Sequence, residues 1–517
     1  MKSLPETLPD ETNALQKMVR DYRSTVDQLQ EKLTWYEEQF RLLQHQRFGA
    51  SSEKCPDQME LFNEAESILD ALKQEETDLE ETISYQRKKP GRKPLSKHIP
   101  REVVRYELPE AERVCECGHA LHEAGEDTSE QLEIIPAQIK LIEHVQVKYA
   151  CRACENGIIS APKPAQPIPR SFASASLLAY IIVAKFMDSL PLYRQETIFK
   201  RLSIDLSRAT LSNWVLKSAE LLAPFYDRLH QLLILQKIIQ ADETTLNVIQ
   251  DGRETKSKSY MWLYQSGGHE AECPIVLYEY QATRAGAHAA SFLQGFSGHL
   301  QVDGYAGYHA LASDDCLLVG CMAHARRKFD EALKALPKAS RKNKMGMAQT
   351  ALRKFTRLYA FEKQFKDLTI EQRYLLRQEK SKPLQEDLKR WCDDNVTRTA
   401  KDSAIGKAIR YTLNQWDSLI RYLDNGNIQI DNNAAERRIK PFVIGRKNWL
   451  FNQTPRGANA SALLYSLVQT AVANNLEPFD YLKYLLTELP KLGRHYEPEA
   501  LDQFLPWNLS EKVKPLK

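Results

Sequence analysis

The sequence predicts a multidomain protein in which an α/β core is joined to several helical regions. Three observations support this prediction. The chain has 517 residues, which is more than one hydrophobic core usually organises. Apolar residues follow a heptad pattern near the N-terminus, and strand-like apolar runs begin beyond Leu235. Between 330 and 427 the chain returns to helical spacing, with many Lys, Arg, Leu and Glu residues.

Composition is that of a globular protein, with 43% hydrophobic and 27% charged residues. The net charge is only +3, so any affinity for a polyanion must come from local patches. No apolar stretch reaches the length of a membrane span, and the N-terminus has neither the basic start nor the apolar region of a signal peptide. Nine cysteines, four of them in two close pairs, favour a reducing cytoplasm and a metal site over a disulfide framework.

Residues 10–54 predict a coiled coil. Apolar residues recur at alternating spacings of four and three, as the seam between two supercoiled helices requires. We therefore expect self-association through this segment, although two tyrosines at d positions leave the oligomer number open. An amphipathic helix packed on its own domain is the alternative. The seam consists of Leu15, Val19, Tyr22, Val26, Leu29, Leu33, Tyr36, Phe40 and Leu43.

Residues 55–105 form a linker whose charge changes sign. An acidic stretch from Glu64 to Glu81 is followed by a basic arm from Gln86 to Arg101, which has seven Arg or Lys and no acid. Three prolines oppose a regular helix, and such an extended arm can lie along phosphates or in a minor groove. A flexible charged linker is the alternative. The candidate DNA contacts are Arg87, Lys88, Lys89, Arg92 and Lys93.

Residues 106–165 contain two cysteine pairs about thirty residues apart. Paired thiolates at this separation are typical of a structural Zn²⁺ site between two β-hairpins. The first pair is C-x-C, shorter than the usual knuckle, so His119 or His122 could replace one sulfur. The remaining cysteines, Cys55, Cys273, Cys316, Cys321 and Cys392, are scattered, and most are expected to pack in the interior. The predicted zinc ligands are Cys115, Cys117, Cys151 and Cys154.

Residues 168–230 have the pattern of a helix-turn-helix. A first helix is expected to end near Leu202, and Ser207 is expected to cap a second. Arg208 and Asn213 on that second helix are candidates for contact with DNA. A plain helical hairpin is an alternative of almost equal weight.

Residues 236–329 predict three strands, a short helix, a fourth strand and a fifth strand. Strand, strand, strand, helix, strand, helix, strand is the order of a ribonuclease H-like core. In that fold the first and fourth strands are neighbours, so Asp242 and Asp303, each at the end of an apolar run, should lie close together. A helical insertion is expected at 330–427. The second part of the core, 428–490, would then carry Glu436 on a helix capped by Asp431 or Asn432, before a C-terminal tail at 491–517.

Asp242, Asp303 and Glu436 are the residue types that hold two divalent cations about 3.5–4 Å apart for phosphodiester chemistry. Oxygen ligands suit Mg²⁺, with Mn²⁺ as the alternative ion. Cationic residues follow the predicted fifth strand and Glu436, which indicates a polyanionic substrate such as DNA. The candidate phosphate contacts are His324, Arg326, Arg327, Lys328, Arg437, Arg438, Arg446 and Lys447.

Over nearly its whole length the chain resembles the large transposase of the insertion sequence 66 family. The departures are mild: the C-x-C pair, and the segment from Asn459 to Ser461, where a more charged stretch is expected. The matching segments are FGASSEK (48–54), GEDTSEQLEIIPAQIK (125–140), DSLPLYRQE (188–196), IDLSRATLSNWV (204–215), ADETTLNV (241–248), VDGYAGY (302–308), CMAHARRKF (321–329), DNNAAERRIKPFVIGRKNWLF (431–451) and LPW (505–507).

This resemblance implies a DDE transposase with an N-terminal zipper, a zinc-binding domain, DNA-binding helices and helper proteins encoded by the same element. Such an enzyme would bind the element ends, cleave one strand at each end and join the 3′-OH to target DNA, acting at the nucleoid. Two rival hypotheses are a nuclease that cleaves without joining and a DNA-binding regulator with an inactive core.

Overall fold

The computed structural model describes residues 12–48, 139–150, 158–160, 162–253, 257–341, 346–493, 496–509 and 511–516. The chain divides into two compact units, one formed by Met1–Glu75 with Ala165–Lys517 and the other by Glu76–Pro164. In the second unit, strands β1 (Lys148–Ala150) and β2 (Ile158–Ser160) pair antiparallel, with Tyr149 opposite Ile159. The four predicted zinc cysteines, His119, His122 and the basic arm lie outside the described residues.

Helix α1 spans Thr12–Phe48, as the heptad pattern predicts. It contacts its own unit through Arg41, which donates to the Ala335 carbonyl at 3.2 Å, and Glu38, which accepts from the Ala404 amide at 3.0 Å. The seam itself faces away from these contacts: Leu29 is 45% exposed and Leu33 is 60% exposed. The alternative in which the seam packs on its own domain therefore does not describe this helix.

Three helices precede the sheet: α2 (Ala175–Phe186), α3 (Leu192–Arg201) and α4 (Arg208–Ile234). The apolar run in α2 is a buried core helix. As predicted, Ser207 caps α4, where its side chain accepts a hydrogen bond from the Thr210 amide at 3.2 Å.

Across the described residues, no helix combines the length and apolarity that a membrane span requires.

A five-stranded mixed sheet forms the centre of the larger unit. Its strands are β3 (Ile238–Leu246), β4 (Ser259–Ser266), β5 (Val276–Gln281), β6 (Gly298–Gln301) and β7 (Cys316–Val319), in the order β5-β4-β3-β6-β7. The predicted adjacency of the first and fourth strands is confirmed, because β3 pairs parallel with β6. Helix α5 (Gly286–Phe292) precedes β6, and a 3₁₀ helix (Ala306–Leu311) links β6 to β7.

Buried glutamine amides connect the central strands. Gln265 donates to Gln240 at 2.7 Å, Gln240 donates to Gln301 at 2.8 Å, and Gln301 donates to the main-chain carbonyl of Gln429 at 2.7 Å. Because an unpaired buried amide is costly, this chain of hydrogen bonds specifies the register of β4, β3 and β6. It also ties the sheet to the segment that leads into Glu436.

The segment after β7, where a helical insertion is predicted, is helical and has its own apolar core around Phe329, Phe355 and Leu388. Two arginines are fully buried there. Arg377 pairs with Glu362 and donates to the Tyr422 carbonyl at 2.9 Å, and Arg373 donates to the Gly426 carbonyl at 2.8 Å. Its helices are α6 (Met322–Ala335), α7 (Lys338–Arg341), α8 (Met347–Gln364), α9 (Ile370–Leu376), a π turn (Arg377–Ser381), α10 (Lys382–Val396), α11 (Ala404–Asn414) and α12 (Trp416–Ile420).

The chain returns to the sheet through α13 (Asn433–Trp449), α14 (Pro455–Ala473) and α15 (Pro478–Glu488). Helix α14 covers the edge strand β5: the Ser466 hydroxyl accepts from the Tyr278 amide at 2.7 Å, and the Thr470 hydroxyl accepts from the Val276 amide at 3.0 Å. These contacts satisfy amides that an open sheet edge would expose.

Candidate active site

Two of the predicted carboxylates, those of Asp303 and Glu436, lie close enough to the third to affect it electrostatically. Asp242 lies on β3, Asp303 follows β6, and Glu436 lies on the first turns of α13. The pKa of Asp242 is raised well above its usual value, first by burial and then by the negative charges of Glu243, Glu436 and Asp303. Glu436 and Asp303 therefore lie close enough to Asp242 for their charges to act on it, and a bound cation would relieve this repulsion.

Asp242 and Asp303 lie at different points of their strands. Asp242 does not end its strand, because β3 continues to Leu246. The apolar run stops at Ala241, but the residues beyond it still pair with β4, with Thr244 opposite Met261. Asp303 does follow the end of β6, where its carboxylate accepts a hydrogen bond from the Tyr305 amide at 2.9 Å.

Asn432 fixes the beginning of α13 on β3. Its side-chain amide donates to the Ala241 carbonyl at 2.8 Å, and its main-chain amide contacts the Cys321 sulfur at 3.2 Å. The predicted side-chain cap is absent from α13: Asn432 occupies the N-cap position without a cap bond, and Asp431, one residue earlier, accepts from the Asn433 amide at 3.1 Å. Asn432 instead sets the position of Glu436 relative to Asp242.

The end of α13 is also attached to β3. Arg446 donates through Nη1 to the Thr245 carbonyl and to the Thr244 hydroxyl. Arg446 was predicted to contact phosphate, but in the structure this nitrogen holds the helix against the strand. Arg438 is half-buried, and its carbonyl accepts from the Tyr278 hydroxyl. Arg437 and Lys447 on the same helix are exposed.

The cationic motif after β7 lies on the first turns of α6. His324 Nδ1 and Arg327 Nη2 each lie 3.7 Å from a carboxylate oxygen of Glu436, so these two residues are part of the site. Lys328 is partly exposed and forms an ion pair with Glu331 at 3.6 Å. Arg326 is only 4% exposed, which corrects the prediction that it contacts phosphate. It lies on the face of α6 that packs into the interior.

Burial lowers the pKa of His324 to about 3, and the charges of Arg327 and Lys328 act in the same direction. The imidazole is therefore neutral at physiological pH and can act as a ligand or a hydrogen-bond partner.

Farther from the carboxylates, Arg208 pairs with Glu196 at 3.5 Å and Asn213 is exposed on α4. Neither residue is brought to the carboxylate site.

Glu243 is an important residue that the sequence reasoning missed. Its carboxylate accepts from Arg284 at 2.8 Å and from the Tyr308 hydroxyl at 2.6 Å. The Arg284 guanidinium also lies 3.8 Å from the centre of the Tyr305 ring. Glu243 thus ties β3 to the loop that carries Asp303. The signal was an acid directly after Asp242, together with tyrosines two and five residues after Asp303.

Cys321 is one of the scattered cysteines, most of which are predicted to pack in the interior; it is buried, and it lies beside Glu436. The Cys321 sulfur, a His324 ring nitrogen and a Glu436 oxygen all lie within 4.8 Å of one another. Asp242 and Asp303 are not members of this group. The missed signal was the Cys-x-x-His spacing at the start of a helix.

Comparison with known proteins decides the family. The family model described as "Transposase IS66 family" matches residues 170–460, which include all three carboxylates. The chain belongs to the IS66 transposase family. The resemblance predicted from the sequence is thereby confirmed.

Three further family models match other parts of the chain. The zinc-finger binding domain of transposase IS66 matches residues 112–155, a range that contains all four predicted zinc cysteines. The model described as "Transposase C of IS166 homeodomain", a leucine-zipper region, matches 35–104, and the IS66 C-terminal element matches 466–507. Zinc-finger and zipper regions accordingly accompany the transposase domain.

Similar proteins occur in Sinorhizobium fredii (strain NBRC 101917 / NGR234). The uncharacterized protein y4jD is 33% identical over 97% of this chain and 97% of its own length. The uncharacterized protein y4qI is 32% identical over 90% of this chain and 87% of its own length. The uncharacterized protein y4hP is 33% identical over 82% of this chain and 78% of its own length.

Proposed function

We propose that this protein is a DDE transposase that binds the ends of an insertion sequence, cleaves DNA and joins the new 3′-OH to target DNA. The convergence of Asp242, Asp303 and Glu436 is the observation that carries the proposal. In the strand order β5-β4-β3-β6-β7, the first three strands pair antiparallel with one another, and β6 and β7 run parallel to β3. This arrangement supports a ribonuclease H-like core for this chemistry.

Asp242, Asp303 and Glu436 would hold two Mg²⁺ or Mn²⁺ ions, because clustered carboxylates that repel one another offer hard oxygen ligands and negative charge. When bound, the two ions activate an attacking oxygen and stabilise the leaving oxygen of a phosphodiester. The chain's own part is positional. Asn432 and Arg446 fix α13 along β3, and Glu243 fixes the loop of Asp303.

DNA would reach this site along exposed cations. Arg437 and Lys447 are exposed on α13, while Arg327 lies at the carboxylates, where it can contact the scissile phosphate. The basic arm and α4 would add contacts to the element ends, and the zinc-finger domain would bind a structural Zn²⁺ through its cysteines. Self-association through α1 would bring two ends together, with helper proteins of the element as further partners.

A strand-transfer assay with paired terminal repeats, Mg²⁺ and target DNA tests the proposal. Asp242→Asn, Asp303→Asn and Glu436→Gln should each abolish cleavage and joining while end binding persists, because the amides keep the shape and lose the charge. Asp314→Asn, at an exposed acid before β7, is the matched control and should stay active. Cleavage without joining would indicate a nuclease, and binding without cleavage would indicate a regulator.

A further inference from the structure

A mixed-ligand cluster lies at the meeting point of two helix beginnings. Cys321 precedes α6, His324 lies on the first turn of α6, and Glu436 lies on the first turns of α13. Residues three apart at the start of a helix share a face, so Cys321 and His324 present sulfur and nitrogen in the same direction. Within the described part of the chain, this is the one group of three such side chains whose ligand atoms lie within 4.8 Å of one another.

Main-chain contacts hold the cluster in place. The Asn432 amide contacts the Cys321 sulfur at 3.2 Å, and the Met322 amide donates to the Ile430 carbonyl at 3.2 Å. These bonds join the start of α6 to the start of α13 directly. The three side chains are therefore positioned by two rigid helices, and a cation would need little rearrangement to bind.

The His324 ring adds a second, independent observation. Its Nδ1 atom is buried and has no hydrogen-bond partner among the described residues, although it lies 3.7 Å from a Glu436 oxygen. Buried ring nitrogens are usually satisfied, so this atom lacks something that a ligand would supply. A cation between the imidazole and the carboxylate would fill that need.

The ligand types select the ion. A thiolate, an imidazole and a carboxylate are the set that Zn²⁺ accepts, whereas Mg²⁺ prefers oxygen alone. One thiolate and one carboxylate also balance the two positive charges of the ion. Three protein ligands leave a fourth position for water or phosphate.

We propose that Cys321, His324 and Glu436 form a Zn²⁺ site, separate from the zinc-finger domain, that competes with Asp242 and Asp303 for Glu436. Zn²⁺ at this site removes the third carboxylate from the set that would hold Mg²⁺. Zinc is then an inhibitor of DNA cleavage. The binding site stands on the geometry of the cluster, and only the inhibition rests on the proposed function.

Zinc stoichiometry of the full chain tests the site without reference to activity. Protein is stripped with chelator, reloaded with Zn²⁺, desalted and analysed for metal. Cys321→Ser and His324→Ala should each bind one Zn²⁺ fewer than the wild type, while zinc in the zinc-finger domain is common to all samples. Cys316→Ala, at a buried cysteine of β7 outside the cluster, is the control and should match the wild type.

Serine at 321 keeps an acceptor for the Asn432 amide but is a poor zinc ligand, so the fold should persist. If this variant nevertheless unfolds, His324→Ala, at a partly exposed side chain, decides the matter. Equal zinc content in wild type and folded His324→Ala would overturn the site.

Cleavage at constant Mg²⁺ tests the competition. With each rate normalised to its own zinc-free value, Cys321→Ser should need at least tenfold more Zn²⁺ than the wild type for half-inhibition. Equal sensitivity would overturn the competition while leaving the stoichiometry as a separate result. A wild-type protein that never cleaves would instead refute the proposed function, and the stoichiometry would still decide whether the site exists.

Discussion

The side-chain amide of Asn432 donates a 2.8 Å hydrogen bond to the main-chain carbonyl of Ala241, the residue before Asp242. This contact joins the helix that carries Glu436 to the strand that carries Asp242, although the two bonded residues are 191 positions apart in the chain. Asn432 is only 1% exposed, so water does not compete for the bond. The spacing of two proposed metal ligands therefore depends on one buried amide.

Asn432→Ala should lower cleavage at least tenfold, because small displacements of reacting groups carry large rate penalties. It should also reduce the free energy of unfolding by about 1–3 kcal/mol, since the Ala241 carbonyl loses its partner. Single-turnover cleavage and urea unfolding measure the two effects. Asn433→Ala is the matched control, because the Asn433 amide bonds to Asp431 and not to β3. Wild-type cleavage in Asn432→Ala would show that this contact does not position Glu436.

Local patterns predicted much of the architecture. Alternating apolar residues gave the strands, Ser207 has the side chain of a helix cap, and the adjacency of β3 and β6 followed from strand order. Each of these features depends on residues close in the chain or on a general rule of topology. For that reason Asp242 on β3 and Asp303 after β6 could be predicted to lie close together.

The contacts that position the site could not be predicted in the same way. Asn432 bonds to a main-chain atom of β3, and Arg446 to residues more than 200 positions away. A cation among other cations carries no local sign of whether it faces DNA or the sheet, so the contact of Arg446 with β3 could not be predicted. The burial of Arg326 also depends on how α6 packs, and that is a property of the tertiary structure.

Glu243→Gln should weaken the link between β3 and the loop that carries Asp303. The amide can still accept from Tyr308, but it loses the charge that pairs with Arg284. We expect slower cleavage with near-normal end binding, and a coupling energy with Arg284→Gln of about 0.5–3 kcal/mol in a double-mutant cycle of unfolding. The control is Glu270→Gln, at an exposed acid away from this loop. Additive effects of the two substitutions would contradict the link.

Glu279 on β5 gives a pH dependence of stability. Burial raises the pKa of Glu279 to about 7, against the opposing effect of hydrogen bonds from Gln281 and Tyr264. A raised folded-state pKa means that the native protein binds the proton more tightly than the unfolded chain does. The stabilisation that comes from protonated Glu279 is therefore fully present below about pH 4.5 and is lost as pH rises through about 7.

Unfolding measured from pH 4.5 to 8 should show this loss as a difference between wild type and Glu279→Gln. Relative to that variant, the wild type should lose about 3 kcal/mol of unfolding free energy as pH rises through the window. Glu272→Gln, at an exposed acid, should follow the wild type. A pH-independent difference between wild type and Glu279→Gln would rule out this titration.

The exposed seam of α1 leads to a prediction about assembly. Leu29 and Leu33 are large apolar residues that remain exposed although the helix contacts α6 through Arg41. Replacing both with Lys would place like charges inside a helix–helix seam, where an unpaired ammonium costs several kcal/mol. The double variant should sediment as a smaller species than the wild type and lose paired-end strand transfer, while single-end binding remains. Lys at Thr25 and Lys at Gln28, both exposed positions outside the seam, form the matched control. A monomeric wild type, with or without element DNA, would contradict self-association and leave the seam to a different partner.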